Sequence, residues 1–406
     1  MQDKKTKLLI ANNIDYCVPD VRGGAFATRV YNLVKCNEIE DRLDITVLSL
    51  YDEKAEKESK QYTKSKFIYI KVNDKREERF QKSKWIRLLN RISFKVVHTI
   101  LIPPPKMRAA YKKTKKEKFD YILGAGGDPS NYGWFTRKVG RKRMLFNVGG
   151  HLEGGKVAAA AFGNFICCSD YIKNYMHQDV DDCNITTILN RVNIKKFMQE
   201  LCDEEGVKLK EQLGLLNKVV ILFIGRIVAE KGIEELVDAF SEMKYKNNCV
   251  LLVAGAANFG YGGRTEFEEK IWRKVESAGE NIKLLGFIHH DKLWKYMRIS
   301  DMAVLPSVWE EPAGNVVPEC MAAGLPLIIT NSGGMIEYVN EETALVVEKE
   351  QGLVKNLRRA MEYLYENPDV RDKMGRAAEE KAKDYDIMIY YDLLYKELCQ
   401  LQRNGN

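Results

Sequence analysis

The chain has 406 residues, of which 45% are hydrophobic and 30% charged, and its formal net charge is +7. This composition is typical of a globular protein long enough for two domains, and it excludes a disordered or collagen-like chain. No apolar run approaches the roughly 20 residues that a membrane-spanning helix needs, and we expect no signal peptide at the start.

Short apolar runs alternate with helical segments through the first half of the chain. The runs predict strands at residues 8–11, 43–50, 67–72, 120–124, 144–148, 165–169 and 186–189. A helix is predicted from Ala25 to Val34, and Gly23 and Gly24 before it would let backbone approach a ligand closely. His151 follows a strand in a glycine-rich loop, at the sheet edge where doubly wound folds bind ligands. For this histidine we weigh a functional and a structural role equally.

The segment from Arg79 to Lys118 lies in the most basic part of the chain, since residues 71–120 carry roughly +11. Its apolar residues recur at spacings of three or four, and basic residues lie between them. The apolar positions are Trp85, Leu88, Leu89, Ile92, Val96 and Ile100, and the basic ones are Lys82, Lys84, Arg87, Arg91 and Lys95. This pattern predicts a basic amphipathic helix, which suits an anionic membrane surface. The alternative is an ordinary helix that buries its apolar face; no nucleic-acid-binding module is visible.

The second half opens with a polar linker helix predicted at residues 195–215. Strands are predicted at residues 219–224, 250–255, 282–285, 302–305, 325–330 and 344–347. Gly225 and Arg226 follow the first of these strands, and Lys231 lies five residues beyond Arg226. Two cations in a strand-to-helix loop can neutralise a diphosphate leaving group. His289 and His290 follow the third strand and are interpreted as rim residues, because adjacent side chains of an extended segment point to opposite sides.

The stretch from Asp301 to Gly334 contains the main candidate site residues of the second half. A strand ends at Pro306, and a helix is predicted from Val316, just after Gly314 and Asn315. The free N–H groups at such a helix start suit a phosphate. Glu311 lies before the helix and Glu319 inside it. Because helical side chains lean toward the N-terminus, both carboxylates can face one opening and hold sugar hydroxyls on either side of a diphosphate.

This stretch resembles the motif of two glutamates separated by seven residues in the family-4 retaining glycosyltransferases. Ala-Ala-Gly-Leu-Pro and Ser-Gly-Gly follow it at the expected places. The resemblance implies the α/β GT-B fold, in which two Rossmann-like, doubly wound parallel-sheet domains face each other across a cleft. An acceptor-side domain would span residues 1–194, joined by a helix at about 387–406. A nucleotide-sugar-binding domain would span residues 195–386.

The resemblance also implies roles for individual residues. Glu311 would contact the donor sugar, Glu319 the nucleotide ribose, and His151 would lie near the reacting centre. The implied catalytic residues are Glu311, His151, Arg226 and Lys231. The implied donor-binding residues are Gly23, Gly24, Gly225, Phe287, Ile288, Gly314, Asn315, Val316 and Glu319.

The expected activity is that of a retaining hexosyltransferase that needs neither a metal nor another cofactor. It would move a sugar from a nucleotide-diphosphate sugar to a glycan or lipid-linked acceptor, in bacterial envelope polysaccharide synthesis. Asp179 and Asp181 spell a metal-binding signature of another transferase fold, which we discount because nothing nearby completes such a site. Nine cysteines without paired spacings favour reduced thiols in a cytoplasmic protein. The basic amphipathic segment predicts that it is peripheral at the inner membrane face. The alternatives are an epimerase or hydrolase of the same fold, and a non-catalytic nucleotide-sugar-binding subunit.

Overall fold

The computed structural model describes residues 5–12, 14–22, 24–97, 99–152, 154–177, 180, 182–258, 263–350 and 352–404. The chain forms two compact units, one of residues 1–189 with 387–406 and the other of residues 190–386. Each unit is built on one parallel sheet with helices in the connections, which confirms the predicted α/β fold class. Within the described residues no helix combines the length and apolarity needed to span a membrane.

The first unit has a seven-stranded sheet in the order β3-β2-β1-β4-β5-β6-β7. Its strands are β1 (Thr6–Ala11), β2 (Leu43–Leu50), β3 (Ser65–Ile70), β4 (Tyr121–Ala125), β5 (Met144–Val148), β6 (Asn164–Cys167) and β7 (Asn184–Thr187). Its helices begin with α1 (Ala25–Glu40), α2 (Glu53–Ser59), α3 (Asp74–Lys82), α4 (Lys84–Val97), α5 (Pro105–Thr114), α6 (Gly133–Val139), α7 (Gly155–Ala161) and α8 (Asp170–Met176). The strand order reverses between β1 and β4, so the loops after these strands form the expected ligand edge.

The second unit has a six-stranded sheet in the order β10-β9-β8-β11-β12-β13. Its strands are β8 (Val219–Ile224), β9 (Cys249–Ala254), β10 (Ile282–Gly286), β11 (Met302–Leu305), β12 (Leu327–Thr330) and β13 (Ala344–Val347). Its helices are α9 (Ile194–Phe197), α10 (Asp203–Gln212), α11 (Ile233–Ser241), α12 (Glu266–Ala278), α13 (Leu293–Arg298), α14 (Val316–Ala322), α15 (Leu353–Glu366) and α16 (Pro368–Ala382). Here the order reverses between β8 and β11, which places the loops after both strands at the ligand edge.

The last helix, α17 (Ile387–Asn404), packs on the first unit. The hydroxyl of Tyr391 donates to Oδ1 of Asn37 at 2.6 Å, and the amide of Asn147 donates to the hydroxyl of Tyr390 at 2.7 Å. Leu394 is buried in the same apolar cluster as β1 and β2. These contacts make α17 part of the first unit's core.

Two helix predictions need correction. The linker predicted as one helix over residues 195–215 contains two, α9 and α10, separated by residues 198–202. The basic amphipathic helix ends at Val97, so Ile100 lies outside it. No residue of α4 is buried, and therefore the alternative of a helix with a buried apolar face is wrong.

Candidate functional site

Glu311 is the most constrained acidic side chain in the loop between β11 and α14, and only 5% of the residue is exposed. Its Oε1 accepts hydrogen bonds from Nζ of Lys231 and from Oγ of Ser307. Its backbone N–H donates to Oγ of Ser332 at 3.3 Å. Burying a carboxylate is costly unless a cation and hydrogen-bond donors surround it. These contacts supply both and hold the side chain in one position.

Two glycines let the surrounding loops approach closely enough to form this pair. At Gly333, a Cβ would lie 2.3 Å from the carbonyl oxygen of Glu311. At Gly232, whose φ is +66°, a Cβ would lie 1.9 Å from the carbonyl oxygen of Pro306. Because any side chain would push these segments apart, both glycines are required for Lys231 and Glu311 to meet.

The start of α14 offers free backbone donors beside Glu311. Gly314 has a φ of +79°, and Asn315 precedes the first helical residue, Val316. In the part of the chain that the structure describes, the N–H groups of Gly314 and Asn315 donate no hydrogen bond to the protein. Oδ1 of Asn315 accepts from Nδ2 of Asn190 at 3.0 Å, so this side chain does not cap the helix. Unsatisfied N–H groups at a helix start are suited to bind an anion.

Glu319 lies inside α14 and is 8% exposed. Its Oε1 is 2.9 Å from Nε2 of His290, whose Nδ1 lies 2.9 Å from Nζ of Lys196. The His290 side chain is 46% exposed, so His290 lies at the rim as predicted and also contacts this carboxylate. His289 does point away, with its Nδ1 3.2 Å from Oδ2 of Asp291 and its side chain 67% exposed.

The contact with Glu319 makes stability depend on pH. The Glu319 carboxylate raises the pKa of His290, against the opposing effects of burial and of the Lys196 ammonium. The favourable interaction is fully present below the unfolded-state histidine pKa of about 6.5, and is lost as pH rises through the higher folded-state pKa. We expect His290→Gln to lower the unfolding free energy by about 1 kcal/mol at pH 5.5, a value limited by solvent screening, and by less at pH 9. Urea denaturation at both pH values measures this difference; a loss that grows toward pH 9 would contradict it.

The other residues predicted in this unit lie at the same edge of the sheet. Arg226 follows β8, and its Nη2 lies 3.8 Å from Oε2 of Glu230. In the described residues it makes neither a hydrogen bond nor an ion pair with Lys231 or Glu311. The N–H of Gly225 donates to the carbonyl oxygen of Ala254 at 3.1 Å, which fixes the end of β8 against β9.

Phe287 and Ile288 follow the end of β10. Gly286, the last residue of that strand, has a φ of +68° and turns the chain into this segment. Phe287 is 47% exposed, so its ring is available for contact with a ligand.

The predicted residues of the first unit occupy loops after its strands. His151 follows β5 and is exposed, with its Nε2 3.0 Å from the hydroxyl of Tyr171. Its ring meets that of Tyr175 edge to face at a centroid distance of 4.9 Å. Gly24 precedes α1 with a φ of +132°, and its carbonyl oxygen accepts the N–H of Thr28 at 2.9 Å. Gly23, Asp179 and Asp181 lie outside the described residues.

Sequence reasoning missed three side chains that support the site. Ser307 comes two residues after β11, and its place at the ligand edge is a signal that could have identified it. Ser332 was noted only as part of the Ser-Gly-Gly that follows the glutamate motif. Lys196 gave no signal, because its contact with His290 joins residues 94 positions apart. Among the described residues no group of three or more His, Cys, Asp or Glu side chains could hold a metal ion.

Comparisons with known proteins relate part of the second unit to glycosyltransferases. Residues 208–381 match the family model described as glycosyl transferases group 1. An uncharacterized glycosyltransferase of Methanocaldococcus jannaschii is 31% identical over 159 residues, 39% of each chain. Alpha-monoglucosyldiacylglycerol synthase of Acholeplasma laidlawii is 28% identical over 214 residues, 52% of this chain and 51% of that one.

A solved structure extends the likeness beyond the matched segment. The structure of HepE from Anabaena in complex with UDP is similar with a TM-score of 0.72 at 16% identity, over 97% of this chain and 100% of that chain. At this identity the likeness shows the fold alone, and the fold is GT-B. The sequence alignments themselves span 39% and 51% of the two relatives' length, so the chain matches about half of them or less.

Proposed function

Because residues 208–381 match the family model of glycosyl transferases group 1, we propose that the protein transfers a sugar from a nucleotide-diphosphate sugar to an acceptor. The observation that supports this most directly is the pair of half-buried Lys231 and buried Glu311 beside the free N–H groups of Gly314 and Asn315. Adjacent loops thus hold a carboxylate that can bind sugar hydroxyls, together with a cation and free amides that can bind phosphate. The proteins named above include a glycosyltransferase and a complex with UDP.

In the proposed chemistry, the cations and amides of the site bind the diphosphate, and its carboxylate binds the sugar. The free amides at the start of α14, with Lys231 and Arg226, stabilise the negative charge that develops on the departing diphosphate. Since cations and amides supply this stabilisation, we propose a transfer that needs no metal. Glu311 holds the donor sugar and His151 acts near its hydroxyls. As in the family this site resembles, we propose retention of the anomeric configuration.

A cavity of about 420 Å³ in the first unit suits the acceptor. It lies among the loops that follow β1 to β4, and its lining includes Asp15, Glu77, Phe80 and Lys106. The backbone N–H of Lys106 donates to Oε1 of Glu77 at 2.7 Å, and burial raises the pKa of that carboxyl group. Carboxylates beside an aromatic ring can bind hydroxyl groups and stack on a sugar ring. We place the acceptor's saccharide here.

The outward face of α4 supports an acceptor that is held at a membrane. The helix is attached through polar side chains: Asn90 exchanges hydrogen bonds of 3.0 and 2.9 Å with the backbone of Ile102, and Oγ of Ser93 donates to the carbonyl oxygen of Thr99 at 2.9 Å. Most of its apolar side chains are exposed instead, with Trp85 77% exposed. This orientation is the reverse of a helix that packs on a core.

The charges of α4 complete the pattern of an interfacial helix. At about 100° per residue, Lys84, Arg87, Arg91 and Lys95 form a stripe beside the apolar face. A helix of this kind lies in the plane of an anionic membrane surface. We therefore propose a peripheral protein at the cytoplasmic face of the membrane, with a lipid-linked acceptor of envelope polysaccharide synthesis.

Turnover of radiolabelled UDP-, GDP- and ADP-sugars by the purified protein tests this function. The assay is run in EDTA, with and without a membrane lipid extract. We expect label to move into extractable lipid only when the extract is present. Equal nucleotide release without any acceptor would indicate an epimerase or hydrolase instead. Tight nucleotide binding without turnover would indicate a non-catalytic subunit.

A further inference from the structure

The segment after β10 contains a histidine whose two ring nitrogens are both engaged. Nδ1 of His290 is 2.9 Å from Nζ of Lys196, and Nε2 is 2.9 Å from Oε1 of Glu319. A lysine ammonium has only donors, so in the neutral ring Nδ1 is the acceptor in this contact. Nε2 then carries the proton that is donated to Glu319, and the protonated ring donates to Glu319 from the same nitrogen.

Other contacts fix the orientation of this ring. Phe197 of α9 meets it edge to face with a centroid distance of 5.5 Å. Nζ of Lys196 also lies 2.8 Å from Oδ1 of Asp291, so the ammonium stays in place beside Nδ1. The charged and titratable groups that face His290 are therefore Glu319 of α14, Lys196 of α9, and Asp291 of its own segment.

The carboxylate of Glu319 has unused capacity. Within the described residues only its Oε1 is engaged, and Oε2 accepts no hydrogen bond. The group lies in the first turns of α14, close along the chain to the free amides of Gly314 and Asn315. A diol binds a carboxylate well only if the carboxylate is held in one orientation before the ligand arrives.

We propose that His290 is a positioning residue for nucleotide binding: it holds Glu319 through Oε1, so that the remaining acceptor sites of this carboxylate receive the ribose hydroxyls. The inference rests on the proposed function and on the ribose contact that the family resemblance implies for Glu319. It adds that the segment containing Phe287 and Ile288, which the resemblance implies in donor binding, is tied to the ribose carboxylate through His290. Donor contacts of this segment and of Glu319 are then coupled.

Calorimetric titration with nucleoside diphosphates tests the proposal without any acceptor. The probes are UDP, GDP and ADP, each with its 2′,3′-dideoxy form, which lacks both ribose hydroxyls. We expect His290→Ala to lower the affinity for the tightest-binding ribonucleotide about tenfold, as for loss of one hydrogen bond to a charged group. Affinity for the dideoxy form stays within about twofold, because the hydroxyls that Glu319 would receive are absent.

Two further variants make the result specific. His289→Ala removes the neighbouring exposed imidazole, and we expect it to leave both affinities unchanged. His290→Gln keeps an N–H donor and recovers most of the ribonucleotide affinity. Equal losses for the ribo and dideoxy forms in His290→Ala would show a merely structural role. Tighter ribonucleotide binding would show that His290 competes with the ribose, and unchanged binding would show no role; each of these results overturns the proposal.

Glu319→Gln separates this inference from the function on which it rests. If it abolishes the preference for ribose while His290→Ala changes nothing, only the role of His290 fails. If Glu319→Gln leaves the preference intact, or if the wild-type protein binds none of the three nucleotides, the proposed donor site itself fails.

Discussion

Glu311→Gln is expected to reduce kcat by a factor of about 10² to 10³, which corresponds to about 3–4 kcal/mol of lost transition-state stabilisation. The substitution keeps the shape of the side chain but removes its charge. Lys231 then loses its buried counter-charge, and the donor sugar loses an ionised acceptor for its hydroxyl hydrogens. Since UDP, GDP and ADP contain no sugar to be transferred, their dissociation constants are expected to change less than about fivefold.

Steady-state transfer and calorimetric nucleotide binding, measured on the same preparation, separate these two effects. Glu341→Gln serves as the matched control, because this exposed acid lies outside the site on the turn before β13. It should leave both quantities unchanged. A kcat within about threefold of the wild-type value would mean that Glu311 does not act on the transferred sugar. A parallel loss of nucleotide affinity would mean that Glu311 contacts the nucleotide instead.

The strands were the part of the fold that the sequence predicted best. β2, β5, β8, β11 and β13 have the predicted bounds, because a parallel strand buried on both faces appears as one continuous apolar run. The boundaries of the helices were predicted less accurately. The linker was predicted as one helix from its polar composition, but composition does not show where hydrogen bonding stops, and the chain breaks at residues 198–202.

The residues of the site were easier to predict than their contacts. Lys231 and Glu311 were each singled out, yet nothing along the chain showed that they touch across 80 positions. Their meeting depends on the backbone approach at Gly232 and Gly333, which is a property of the folded loops. For His290 the periodicity of an extended segment correctly separated it from His289. It did not show which of the two faces the buried carboxylate.

Neutralising the basic stripe of α4 is expected to weaken binding to anionic vesicles about a thousandfold. The variant replaces Lys84, Arg87, Arg91 and Lys95 with glutamine; Lys82 is left intact because it is already paired with Glu78. Each basic residue near an anionic surface contributes about 1 kcal/mol, so four contribute about 4 kcal/mol. Sedimentation with vesicles that contain about 30% phosphatidylglycerol measures the change. Raising the salt concentration should also weaken the binding of the wild-type protein to these vesicles.

The exposed apolar face of α4 makes a second contribution to membrane binding, which does not depend on charge. Trp85→Ala should weaken binding to neutral and anionic vesicles by similar factors, since it removes apolar area from the interface without changing the charge. Replacing four exposed lysines elsewhere, Lys54, Lys57, Lys60 and Lys208, matches the charge change of the α4 variant and should affect vesicle binding far less. Equal losses from the two quadruple variants would mean that net charge alone attracts the protein. Only the sensitivity of α4 to both its stripe and its tryptophan identifies this helix as the membrane contact.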